Sequence, residues 1–287
     1  MNTFRTRTLT AIIFAAIMLG GIFWNEYSFF VLFFCINFFS LQEYFRLIGK
    51  IDTGYNTVAS GHIPMALLSG CAIMLTASGS LFHRDGLQGS TIGCWLLIIF
   101  LIALVAGELL LSKEFHFRNL GYTLLGLIYL SFPFGLMISL RLHSPSFLPG
   151  SGTATLAGYA IPLSLILAIW INDTMAYIVG SLIGKTKFFP SISPKKTWEG
   201  TLGGIILTMA VAALFSYFSK SHPVTWIAIG GIAAIAGTAG DLLESKLKRL
   251  AGVKDSGNIM PGHGGFLDRF DSLVLAIPFV WVYVVYF

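Results

Sequence analysis

The sequence predicts an all-α protein, a polytopic bundle of about nine transmembrane helices in one continuous membrane domain. Three observations carry this. Only 11% of the 287 residues are charged and 55% are hydrophobic, whereas a soluble domain carries about 25% charged residues. Mean hydropathy is +0.79, and apolar stretches near the roughly 20 residues of a membrane crossing recur from end to end. These stretches do not alternate as the strands of a membrane β-barrel would.

In chain order the candidate spans are 8–24, 27–48, 63–82, 91–111, 121–141, 156–182, 201–219, 224–243 and 270–286. The first has the basic start and apolar run of a cleavable signal peptide. No small-x-small cleavage site follows it and the second span begins at once, so it is read as retained. The first five spans form an N-terminal scaffold, residues 1–150, with short loops. Glu43 and Glu108, near the ends of spans two and four, are expected to snorkel or pair at the membrane interface. The last four spans make up residues 151–287, where two longer polar loops, 184–200 and 244–269, interrupt the apolar pattern.

Charge supports the count. With the N-terminus cytoplasmic, nine crossings put Arg5, Arg7, Arg46, Lys50, Lys113, Arg118, Lys185, Lys187, Lys195, Lys196, Lys246, Lys248, Arg249, Lys254 and Arg269 inside, and leave Arg84, Arg141 and Lys220 outside. That is 15 against 3 of the 18 basic residues, as the positive-inside rule requires. The net charge of +5 comes mostly from these loops, so no nucleic-acid partner is implied. Cys35, Cys71 and Cys94 lie in apolar runs without CxxC spacing, which indicates neither disulfides nor zinc. There is no internal repeat, so an inverted-repeat transporter plan lacks support.

The chemistry is concentrated in the C-terminal half. Asp173 sits inside span six, where an ionisable residue costs roughly 2.5–3.5 kcal/mol and usually faces a cavity, a partner or an ion. Asp173, Ala176, Tyr177, Gly180 and Gly184 share one helical face whose small members admit a close neighbour. A structural aspartate bonded to the next helix would also explain Asp173. Asp241, Glu244, Ser245 and Lys248 form a polar stripe at the end of span eight, explicable in part by simple i,i+4 pairing. In the loop that follows, Gly262, Gly264 and Gly265 surround His263, a turn in which backbone amides can approach a ligand. Asp268 and Asp271 then open span nine at i and i+3. A helix dipole accounts for one of them better than for two. Carboxylates with few His or Cys ligands suit Mg²⁺, and the surrounding Lys and Arg suit phosphate. The combination points to phosphoryl or nucleotidyl transfer at the membrane surface.

These residues also carry a resemblance. "SKLKRLAGVKDSGNIMPGHGGFLDRFD", residues 245–271, resembles the defining motif of the phosphatidate cytidylyltransferase (CDP-diacylglycerol synthase) family: Ser-x-apolar-Lys-Arg, Lys-Asp after four residues, Pro-x-His-Gly-Gly and a closing Asp-Arg-x-Asp. Met260 stands where Leu, Ile or Phe is expected. "NDTMAY" (172–177) and "SPKKTWEG" (193–200) are similar to the family's upstream segments, so the likeness covers about 115 residues from Asp173 onward. The resemblance implies that CTP and phosphatidic acid give CDP-diacylglycerol and pyrophosphate with a divalent cation, Mg²⁺, a second cation being left open. It implies Asp241, Asp268 and Asp271 as metal ligands and catalytic residues, with Lys248 and Arg249 beside them. Substrate contacts fall to Asp173, Tyr177, Lys195, Lys196, Ser245, Lys254, His263, Gly264, Gly265 and Arg269. The expected partners are CTP and bilayer phosphatidic acid, with a homodimer open. The expected setting is the inner or plasma membrane, with N-terminus and active site cytoplasmic and C-terminus outside. An ion-coupled transporter would explain Asp173 but not the Gly/His/Lys/Asp loop. A CDP-alcohol phosphotransferase would need an Asp-Gly-x-x-Ala-Arg motif, which is absent.

Overall fold

A computed structural model describes residues 3–58, 62–84, 86–111, 116–142, 158–219, 221–259 and 264–287. Lys113, Lys220, Gly262 and His263 lie outside the described residues. The chain is helical almost throughout: α1 Thr3–Phe23, α2 Glu26–Ile51, α3 Thr53–Val58, α4 His62–Ala77, α5 Gly89–Leu111, α6 Phe117–Gly126, α7 Phe132–Leu142, α8 Ala160–Ile183, α9 Trp198–Phe218, α10 Pro223–Leu250 and α11 Leu267–Tyr286. A π-helical turn, Leu127–Ser131, joins α6 to α7 into one rod. Seven of the described helices are long and apolar enough to cross a membrane, counting α6–α7 as one. The helices at the first and third candidate spans, Thr8–Phe23 and His62–Ala77, are shorter. This is an integral membrane protein built of helices.

Two short hairpins interrupt the helices. β1 (His83–Arg84) pairs with β2 (Leu87–Gln88), and β3 (Lys187–Phe189) pairs with β4 (Ser193–Thr197), both antiparallel. The second forms within the polar loop 184–200, for which the sequence reading assigned no strand. Its base is closed by Glu199, whose carboxylate accepts from the Lys185 and Thr186 backbone N–H groups at 3.1 Å, and by the Trp198 N–H donating to Thr186 O at 3.0 Å.

The chain divides into two compact units, residues 1–142 with 247–270, and residues 143–246 with 271–287. In the first unit, Asn25 caps α2 through a reciprocal pair of hydrogen bonds with Ser28. α2 is then held by a core of Phe29, Phe33, Ile36, Leu41, Phe45 and Leu47. Inside this bundle the Ser131 hydroxyl donates to Asn37 Oδ1 at 2.9 Å. Glu108 is buried and paired. Its Oε2 lies 2.7 Å from His62 Nε2, and its Oε1 accepts the His116 N–H at 3.0 Å. A buried carboxylate without such partners would be costly.

In the second unit α8 and α9 pack backbone to backbone. A Cβ on Gly200 would lie 2.7 Å from Ala176 O and 2.9 Å from Gly180 Cα, and one on Gly204 would lie 2.9 Å from Asn172 O. Only hydrogen fits there. The small face of α8 is therefore where its neighbour lies, but α9 covers one flank of the expected stripe. Asn172 is buried and donates to Thr238 Oγ1 at 3.3 Å, while Asp173 is exposed and Tyr177 is 78% exposed.

Candidate active site

α10 and α11 supply the second unit's charged cluster. Asp241 and Glu244 are i and i+3 on α10, so they share a face, and Asp271 enters from the first turns of α11. Those helices approach closely because residue 240 is glycine: a Cβ there would sit 3.2 Å from Ser272 Cα. As a result one carboxylate oxygen from each of Asp241, Glu244 and Asp271 lies within 4.8 Å of the other two. Glu244 is fully buried and Asp271 is 9% exposed. Asp271 Oδ1 accepts the Ser272 N–H at 2.7 Å, and the Ser245 hydroxyl reaches Asp241 at 3.4 Å.

Lys196 forms an ion pair with Asp241. The strand β4 makes this selective. Neighbouring side chains on a strand point to opposite faces, so Lys196 turns toward Asp241 while Lys195 stays exposed. Asp173 lies within electrostatic reach of both Lys196 and Asp241. Three hard carboxylate oxygens so close together repel one another, and one ammonium offsets part of the excess. That donor set fits a divalent cation such as Mg²⁺.

The first unit holds the other polar constellation, the turn leading into α11. Asp268, expected as a metal ligand, is engaged by this turn. Its Oδ1 accepts from Lys248 Nζ at 2.7 Å. Its Oδ2 accepts the Gly265 N–H at 2.7 Å, the Ser256 N–H at 3.0 Å and the Ser256 hydroxyl at 3.1 Å. Gly264 has φ +86°, and a Cβ on it would lie 2.6 Å from Asp268 Oδ2, so glycine is required on both counts. Both oxygens of Asp268 have partners in the turn or on Lys248, and the acid whose oxygen lies with those of Asp241 and Asp271 is Glu244. Arg249 donates to Val253 O at 3.4 Å. Arg249, Lys254 and Arg269 are exposed.

Two residues of this constellation escape a reading of spacing alone. Glu43, expected at the interface, is fully buried: its carboxylate accepts from Ser256 Oγ at 2.7 Å, Leu267 N at 2.9 Å and Phe266 N at 3.1 Å. Ser256 bridges Glu43 and Asp268. Neither carries a sequence signal, because their partners are remote in the chain. Glu244 could have been singled out, since it stands three residues after Asp241.

Comparison with known proteins agrees with this picture. The sequence matches the profile of the cytidylyltransferase family over residues 5–287. A phosphatidate cytidylyltransferase of Bacillus subtilis (strain 168) is 32% identical over 284 residues, covering 98% of this chain and 97% of the relative. One of Staphylococcus saprophyticus is 32% identical over 283 residues, 96% of each chain. One of Staphylococcus aureus (strain COL) is 36% identical over 195 residues, 65% of this chain and 70% of the relative. With the match running from Arg5 to the last residue, the chain belongs to the cytidylyltransferase family.

Proposed function

We propose that this protein converts CTP and phosphatidate to CDP-diacylglycerol and pyrophosphate at the cytoplasmic surface of the membrane. The observation that carries the chemistry is the carboxylate cluster of Asp241, Glu244 and Asp271, half-buried at Asp241, with Lys196 ion-paired at its edge. The substrate identities come from the relatives' names.

An oxygen of the lipid phosphate attacks the α-phosphorus of CTP, the bond from that phosphorus to the bridging oxygen breaks, and pyrophosphate leaves with the electron pair. The nucleophile is already ionised, so the protein needs no strong base. Its task is to hold two polyanions in line and to screen their repulsion. Asp241, Glu244 and Asp271 are the residues that would hold Mg²⁺, which when bound supplies positive charge to the phosphate oxygens. Lys196 neutralises Asp241 and stands ready for a substrate phosphate. Lys195, Arg249, Lys254 and Arg269, all exposed, add charge for the triphosphate. Lys248 and Asp268, together with Gly264 and Gly265, shape the turn. Ser245 and, among the residues not described, His263 stay candidates for phosphate contact. Asp173 and Tyr177 are our candidates for meeting the lipid headgroup.

The 15-to-3 division of basic residues supports a cytoplasmic N-terminus and active site with the C-terminus on the other side. A homodimer would appear as twice the 31.3 kDa chain mass in light scattering of the detergent-solubilised protein. The function is tested with purified protein, labelled CTP, phosphatidate and Mg²⁺, with ATP and GTP as alternative donors. The expected product is CDP-diacylglycerol from CTP alone. Its absence, or equal use of ATP, refutes the assignment.

A further inference from the structure

We propose that Glu43, on α2, is a positioning residue for substrate phosphate: with Asp268 it holds the two described arms of the motif turn, 256–259 and 264–267, in place before substrate arrives. The inference rests on the function proposed above. α2 presents two side chains one helical turn apart to this turn. The Phe39 ring stacks on Phe266 with centroids 5.0 Å apart, and the Glu43 carboxylate accepts the backbone N–H groups of Phe266 and Leu267. These N–H groups open α11, where no intrahelical acceptor exists for them. The same carboxylate accepts the Ser256 hydroxyl, on the other arm of the turn.

Asp268 works as its counterpart. It accepts from Ser256 and Gly265, one residue in each arm, and its negative charge is balanced by Lys248. The two carboxylates therefore clamp the segments on either side of residues 260–263, with Ser256 as the shared rivet. Sterics say the same as hydrogen bonding. A Cβ on Gly257 or on Gly265 would collide with the Glu43 carboxylate, and one on Gly265 would also strike Ser256 Oγ. Two glycines of the turn are thus glycines because of a residue on α2. A clamp of this kind fixes the flanking Lys248, Lys254 and Arg269 in advance, so ordering them costs little when a polyanion binds.

Preorganisation of this kind lowers KM and leaves the chemical step alone. Losing one buried hydrogen bond to a carboxylate is expected to raise KM roughly 10- to 100-fold. The variants are Glu43→Gln, whose amide would set an N–H against a backbone N–H, Ser256→Ala, and Ser256→Thr, which keeps the hydroxyl. Initial rates are measured with CTP and phosphatidate varied separately, and thermal unfolding is followed beside them. Glu43→Gln and Ser256→Ala should each raise KM for one of the two phosphate substrates at least about tenfold with kcat held within about threefold. The double variant should fall short of the sum of the two singles, because they share the Ser256–Glu43 hydrogen bond. Ser256→Thr should recover most of the loss. If Glu43→Gln does not fold, the two Ser256 variants decide. Both KM values unchanged in Ser256→Ala, or a loss that Ser256→Thr does not recover, overturns the proposal. Wild-type activity separates the two readings: a wild type that makes no CDP-diacylglycerol refutes the function. In that event hydrogen exchange at Gly265, Phe266 and Leu267 still tests the clamp, which fails if Glu43→Gln leaves their protection unchanged.

Discussion

Replacing Glu244 by glutamine keeps the shape of the carboxylate cluster and removes one of its charges. One carboxylate oxygen from each of Asp241, Glu244 and Asp271 lies within 4.8 Å of the other two. Two unit charges at that separation repel by about 3.5 kcal/mol at an effective dielectric constant of about 20. Glu244 enters two such pairs, so its charge raises the energy of the cation-free site. A divalent cation reverses that sign, so the protein should be stabilised by Mg²⁺ and the variant much less. At a Mg²⁺ concentration about 100 times the dissociation constant, the wild type gains about 2.7 kcal/mol, a rise of roughly 5–10 °C in unfolding midpoint for a chain of this size. If losing the ligand weakens binding about 100-fold, the same Mg²⁺ adds only about 0.4 kcal/mol, or about 1 °C. In chelator, Glu244→Gln should melt no lower than the wild type, because a repulsion has been removed. The assay is thermal unfolding in detergent with Mg²⁺ titrated against chelator. An equal Mg²⁺-induced shift in both proteins would refute the assignment of Glu244 to the cation.

Other substitutions separate the remaining roles. Asp271→Asn should abolish the Mg²⁺-induced thermal shift, whereas Asp268→Asn should keep it and instead raise substrate KM, since Asp268 spends its oxygens on Lys248, Ser256 and Gly265. Identical behaviour of the two would mean that they share one role. Lys196→Met should lower kcat/KM roughly 100-fold or more while Lys195→Met has a smaller effect, because only Lys196 reaches Asp241; steady-state rates with CTP decide this. Gly204→Leu should cost at least about 1–3 kcal/mol by overpacking against Asn172 and Ala176, seen as a lowered unfolding midpoint. Single cysteines at Lys187 and Lys254 should react with impermeant maleimide only from the cytoplasmic side, in a background lacking Cys35, Cys71 and Cys94. Labelling from outside contradicts the topology.

The helices are legible in this sequence because the bilayer imposes one rule along the whole chain: apolar residues for the length of a crossing, then charge. The polar stripe from Asp241 is legible for a related reason, since three- and four-residue spacing on a helix is geometry that one segment contains. What spacing conceals is partnership across distance. Glu43 reads as an interfacial carboxylate because nothing within its own helix marks it otherwise, and its partner Ser256 is 213 residues away. Asp268 and Asp271 look equivalent as an i, i+3 pair, yet Lys248 and the turn engage one while Asp241 and Glu244 gather round the other. The hairpin of β3 and β4 is hidden too. Its strands are short and charged, and it depends on Glu199 to close its base.

The bond between Glu43 and Ser256 has a bearing on how the protein is made. The ribosome completes α2 long before it reaches the turn, so during most of translation Glu43 has none of the three donors that surround it in the finished fold. A carboxylate in that condition resists being drawn into hydrocarbon, so the end of α2 has reason to linger among headgroups until α11 arrives. Burial of Glu43 then waits on the synthesis of α11, and a nascent chain that stalls before Ser256 carries an unburied acid.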